Sequence, residues 1–289
     1  MKKPIFLVLI CLSLFVIGIA LLEPSKAQNR QNNPSVQGEQ DRLLAAAIRK
    51  LTDRSTEGLV EEIRPDGGVM VDLKGRFQNV PIARFDSNGN IAARCVTSLA
   101  EANDFFGRDL ETGEYLHPPQ MAEPRDEIAE QAARHRMSSE EYQFYLRLIE
   151  EAGKRRAARP DAATLQIVNG DGANEGFNDP TAKAPEGGNT GTTWGAQRLI
   201  LFNFAADIWE AFLDSSVQIN INSQFNSLAQ CGILGQAGAT TVHEDFPNAE
   251  FPNTWYGPAL ASKRAGSDQN GATAEINATF NTDFDNGCL

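Results

Sequence analysis

The sequence predicts an α+β protein: a small antiparallel β-meander module, a helical spacer, and then a second domain in which a helix precedes the strands of an α/β sheet. Three observations predict it. Short runs of period two lie between residues 59 and 96, separated by Gly, Asp and Asn at hairpin positions. From residue 197 the apolar period lengthens to that of a helix face, and at Val217 and again at Ile276 it returns to strict alternation.

The first residues are read as an export signal. Met1, Lys2 and Lys3 form a basic start, Ile5 to Leu22 is almost wholly apolar, and Ser25-Lys26-Ala27 places small residues as a cleavage site requires, so residues 1–27 are taken as removed on export. The alternative is an uncleaved anchor, since the apolar run is about as long as a bilayer is thick. Export makes the chain secreted or periplasmic, without membrane contact after cleavage. The formal charge is −12 for 289 residues. Nucleic acid and anionic membrane are poor partners for it, because no basic excess is available to neutralise phosphates.

Residues 28–57 hold a polar leader, flexible through residue 40, and a short helix from Asp41 to Leu51. The meander module follows at 58–107. "GLVEEI", "VMVDLKGRF", "QNVPIARF" and "IAARCV" are its strands, with "RPDGG" and "DSNGN" as turns. Pro81 must lie at an edge or a bulge, because it has no N–H to give to a ladder. Ser98 and Glu101 have the spacing of a capping box, and Gly107 stops the closing helix after Phe105 and Phe106.

Residues 108–158 are charged and helical in character. A second capping box at 138–141 opens a stretch whose apolar face is Tyr142, Tyr145, Leu146 and Ile149. Residues 159–195 are dense in Gly, Pro, Asn, Asp and Thr, as a linker or extended loop is. The second domain occupies 196–289. Leu199, Phe202, Ala206, Trp209 and Leu213 recur at steps of three and four, with Phe204 and Ile208 widening the face, so Phe202, Trp209 and Leu213 are its expected core. Val217, Ile219, Ile221 and Phe225 alternate with polar residues as a half-buried strand does, and Ile276, Ala278 and Phe280 do the same near the end.

Little in the chain announces catalysis. His243-Glu244 begins a zinc-binding helix motif, but the second histidine belongs four residues on, where Pro247 stands. His117 and His135 have no ligand companions at useful spacing. There is no GxSxG elbow, and the glycines of "NGDGANEG" lack the lysine of a phosphate loop. No cofactor is therefore expected in this chain. Asp283, Asp285 and Asn286, or Asp86, Asn88 and Asn90, offer oxygens to calcium, yet each set is too short for an EF-hand loop and reads as a turn. Three cysteines remain after export. Cys231 and Cys288 are paired in this reading, closing a loop whose chain entropy is worth roughly 4 kcal/mol, and Cys95 is left as a small buried residue.

The segment "GFNDPTAKAPEGGNTGTTWGAQRLILFNFAADIWEAFLDSSVQININSQFNSL", with "GQAGATTVHEDFPNAEFPNTWYGPALASKRAGSD" and "AEINATFNTDFDNGCL" after it, resembles the opening part of a family of exported bacterial proteins with a zincin-like metallopeptidase domain. The likeness spans roughly residues 170–289. It implies a parent that hydrolyses peptide bonds of a peptide or protein substrate with a zinc-bound water and a glutamate base. The HExxH helix of that family comes after the matched region, and this chain holds none, so the resemblance makes the chain an N-terminal part that is inactive alone. It also implies that Ile276, Asn277, Ala278, Thr279, Phe280 and Asn281 form the strand at the rim of the cleft, where a substrate adds by β-augmentation. The other reading is a secreted, non-catalytic binding protein that uses a degenerate peptidase-like scaffold.

Overall fold

The computed structural model describes residues 34–85, 91–116, 139–156, 162–228 and 230–283. The helices are α1 (Pro34–Leu51), α2 (Leu99–Phe106), α3 (Ser139–Arg156), α4 (Trp194–Glu210) and α5 (Pro258–Ala265). Nine strands are described: β1 (Glu61–Ile63), β2 (Val69–Asp72), β3 (Val80–Phe85), β4 (Ile91–Val96), β5 (Leu165–Asn169), β6 (Ile219–Asn226), β7 (Gly235–Ala239), β8 (Thr241–Glu244) and β9 (Ile276–Asn281). Helices and sheets are both substantial, as α+β requires. None of the described helices is long and apolar enough to cross a membrane.

The strands do not form a meander. They fall into a three-stranded sheet β1-β2-β8, a pair β3-β4 and a four-stranded sheet β5-β6-β9-β7. The two expected hairpins exist. "RPDGG" closes the first with an Arg64 N–H to Gly68 carbonyl bond of 2.8 Å and Gly67 at φ 89°, the three-residue turn whose last position demands a left-handed residue. After β2, however, the chain does not turn back. It runs along residues 232–244 instead: β2 pairs antiparallel with β8, Leu73 donates to the Thr240 carbonyl, Asn79 exchanges both backbone bonds with Ala237, and Ile82 lies opposite Ile233. Pro81 sits where the register of this contact slips by one residue, between the Asn79–Ala237 and Ile82–Ile233 pairs. The missing N–H falls at that slip, as expected for proline.

The cores follow the pairing. Leu44, Ala45 and Ile48 on one face of α1 pack with Val80, Ile82, Val96, Ala102, Phe105 and Leu110, and with Ile233 from the far end of the chain. The expected boundary between a 58–107 module and a 196–289 domain is thus crossed by strand pairing and by a shared core. Helix α1 begins seven residues before the expected Asp41, since a helix anchored by a buried stripe extends easily. Asp41 is itself buried, in a two-point ion pair with Arg108 at 2.8 and 2.9 Å. Helix α2 carries both expected signals: Ser98 Oγ accepts from the Glu101 N–H, the Glu101 carboxylate accepts from the Thr97 N–H, and Gly107 ends the helix at φ 68°.

A second core lies between α4 and the four-stranded sheet. Phe177, Phe202, Phe225 and Phe280 meet edge to face or tilted, with centroids 4.6–5.8 Å apart. Phe202 and Trp209 are buried as expected. Leu213 is half-buried beyond the helix end, and Leu199 and Phe204 are exposed. The face of α4 is set by what covers it. Ile208 and Ala211 receive Ala152, Leu148 and Ile149 of α3, while nothing described covers Leu199. Leu146 of the expected α3 face is exposed; the side chains of Tyr142 and Tyr145 lie outside the described residues. The 159–195 stretch is more than a linker. It contains β5, parallel to β6 at the sheet edge, and an Asp171 carboxylate that accepts from the Phe177 and Phe225 N–H groups.

Candidate functional site

The feature with recognisable binding chemistry is the rim of the mixed sheet. β5, β6 and β9 are parallel, and β7 closes the sheet as an antiparallel strand. An antiparallel outer strand offers main-chain donors and acceptors to an extended peptide. The expected rim strand Ile276–Asn281 is not that strand. β9 pairs with β6 on one side and β7 on the other, so its backbone groups are spent. Its side chains are structural too. Ala278 and Phe280 are in the core, and Asn277 and Thr279 accept from Asn222 and Gln224. The buried Asn281 amide donates to the Gln230 and Ile233 carbonyls and its oxygen accepts from the Leu228 N–H, holding the loop that leads into β7.

The rim is therefore β7, and it has an occupant. Residues 73–83 of the chain lie along it, with Ala83 N–H to Gly232 carbonyl and Leu234 N–H to Pro81 carbonyl both at 2.8 Å.

β8 continues the same edge and carries His243, which is fully buried. Its backbone exchanges two 2.8 Å bonds with Tyr256 on one side and lies opposite Met70 on the other. The Asn270 amide donates to the Thr273 and Ala274 carbonyls, which turns its oxygen toward Thr241; the Thr241 hydroxyl donates to it at 2.6 Å. Thr241 Oγ1 is 2.9 Å from His243 Nε2, and with the hydroxyl hydrogen given to Asn270 the ring donates its Nε2–H there. Nδ1 is buried without a partner. Burial, and then the Arg64 guanidinium, hold this histidine below its usual range.

The described residues contain no group of three His, Cys, Asp or Glu side chains placed to hold an ion. Position 247 is Pro247, and His243 lies on a strand rather than a helix. His117, His135 and the oxygens of Asp86, Asn88, Asn90, Asp285 and Asn286 lie outside the described residues. Asp283 is described, and its N–H donates to Asn281 within a turn. Glu275, next to the rim, is buried and accepts from the Asn220 N–H at 2.6 Å; burial pushes its carboxyl above the ordinary range.

Cys288 lies outside the described residues. Neither Cys95 nor Cys231 is a free thiol, which corrects the reading of Cys95 as a lone buried cysteine. Cys95 faces Pro81 on one side of β3, and Cys231 adjoins Gly232 on the other.

Sequence reasoning missed β5, β7, β8 and the Arg64–Thr241–His243–Asn270 cluster. The cluster's members come from three distant segments, so no spacing could reveal it. No family profile, curated protein or solved structure matches the chain.

Proposed function

We propose that the chain is the N-terminal portion of a secreted, zincin-like metallopeptidase, contributing the sheet scaffold and rim strand of a cleft whose metal-binding helix it does not itself carry. The observation that supports this reading is the mixed sheet: three parallel strands closed by antiparallel β7, with α4 against one face. In the parent, a peptide or protein substrate would lie extended along the rim, aligned by main-chain bonds, in the place that residues 73–83 take beside β7 here. The test is the product of the complete reading frame in the source DNA. Chelator-sensitive peptide hydrolysis that zinc restores would support the reading, and a frame that stops after Leu289 would overturn it.

A second reading is favoured by one specific contact. Residues 73–83 already fill the β7 edge, which suits a non-catalytic secreted protein built on such a scaffold better than an open cleft. A product of the complete reading frame that binds an extended peptide and does not cut it, with or without added zinc, would decide for it.

A further inference from the structure

We propose that the hairpin of residues 61–72 is an acid-released latch, and that His243 is the group that holds it shut at neutral pH. The inference is independent of any peptidase activity. It starts from how little apolar surface fastens this hairpin. β1 is exposed throughout, Ile63 is 84% exposed, and only Val71 of the two strands is buried. What attaches the hairpin is a four-residue ladder to β8 together with the buried Val71. β8 keeps its Tyr256 pairing on the other side, so the hairpin can leave without dismantling the strand it leaves.

Directly under the ladder, Met70 lies opposite His243. Arg64 of the hairpin donates to Met70 Sδ through Nη1, while its Nε is buried without a partner. The closed latch therefore places a permanent cation near a neutral imidazole whose Nδ1, once protonated, would meet no acceptor for its new N–H. The neighbouring elements supply charges of both signs. The Asn270 side chain first, and then Asp66 in the hairpin turn and Asp268 in the loop after α5, favour the protonated ring, but burial and Arg64 outweigh them. Lys263 and Arg264 of α5 pair with Asp214 and Glu250 instead. Glu244 acts in the opposite sense: burial, Asp245 and Glu61 raise its carboxyl, so its protonation favours closure.

When the hairpin opens, the ring is freed from Arg64 and reaches water. The open form then binds a proton more readily than the closed form. The latch is at full strength above the ordinary histidine range and loses strength as the pH falls below about 6.5. The opening equilibrium rises at most about tenfold for each further pH unit, until the closed-state value is reached.

The experiment is amide hydrogen exchange of the full chain at pH 7.5 and pH 5.0, corrected for intrinsic rates. Protection at residues 69–72 is expected to fall several-fold more than intrinsic chemistry accounts for, with β6 and β9 unchanged. His243→Gln keeps a donor toward Thr241 and removes the histidine titration, so its hairpin protection should no longer fall at pH 5.0; the Glu244 carboxyl can only raise it. Should that variant not fold, Arg64→Gln is the second probe: without the nearby cation the ring titrates closer to its free value, and the acid effect shrinks. Equal protection at both pH values in the unaltered chain, an acid effect that survives both substitutions, or one shared equally by β6 and β9 overturns the proposal.

Discussion

Gly195 has no space for a side chain. A methyl group there would lie 2.4 Å from the Phe177 carbonyl oxygen and 2.8 Å from the Asp179 nitrogen, both backbone atoms that cannot step aside. Gly195→Ala should therefore lower stability by about 3 kcal/mol in urea unfolding, since the first turn of α4 must move off the 176–179 loop. The loop is held from the other side as well. Arg198, buried under Trp194 and Phe225, donates to the Gly176 carbonyl and to Asp179. A second residue-level prediction concerns sulfur. Neither Cys95 nor Cys231 is a free thiol, so a non-reducing digest should recover Cys95 in a disulfide-linked peptide, at the expense of the expected Cys231–Cys288 bridge. Alkylation of Cys95 in the unreduced, exported chain would overturn this.

At the scale of elements, legibility tracked the distance over which a signal acts. The α2 cap, the Gly107 stop, the "RPDGG" hairpin and the β6 alternation are all written within a few residues, and all are present. β8 is only four residues long, and β7 was invisible because "GQAGA" holds none of the branched and aromatic residues that advertise strands. The reason is geometric. A methyl on Gly235 would meet the Thr279 carbonyl oxygen at 2.7 Å, so close approach to β9 keeps that position bare. At Gly238 the obstacle is the Gln78 side-chain amide at 2.6 Å, the movable end of a side chain. Gly235→Ala should cost about 2 kcal/mol and Gly238→Ala less than about 1 kcal/mol, a contrast that paired thermal melts would detect. β5 escaped notice because an edge strand buries little, and its residues are mostly half-exposed or exposed. The rim strand was misplaced for a related reason. Alternation identifies a strand, but only long-range pairing decides whether that strand is inner or outer.

For the whole molecule, the sequence reading of two successive domains fails where it assumed that neighbours in sequence pack together. Ile233 completes the core built on α1, and β8 completes the sheet begun by β1 and β2. Residues 162–289 expressed alone should consequently lack cooperative melting and bind a hydrophobic dye, because Ile233 and the β7–β8 edge would be uncovered. A sharp melt near that of the full chain would show that the second half is self-sufficient. The α+β class survives this correction, because it depends on which elements form and not on which of them meet.

The pairing of β2 with β8 also sets a timetable. Val69 must wait for Glu244, 175 residues later in synthesis (244 − 69), before its strand has a partner in β8. A chain emerging from its N-terminus at about 5–20 residues per second therefore spends on the order of ten seconds or longer with Val80, Ile82 and the apolar face of α1 unfinished. Such a nascent chain suits a route in which folding is postponed until the last strands are available, and it should refold slowly from denaturant, as high contact order dictates.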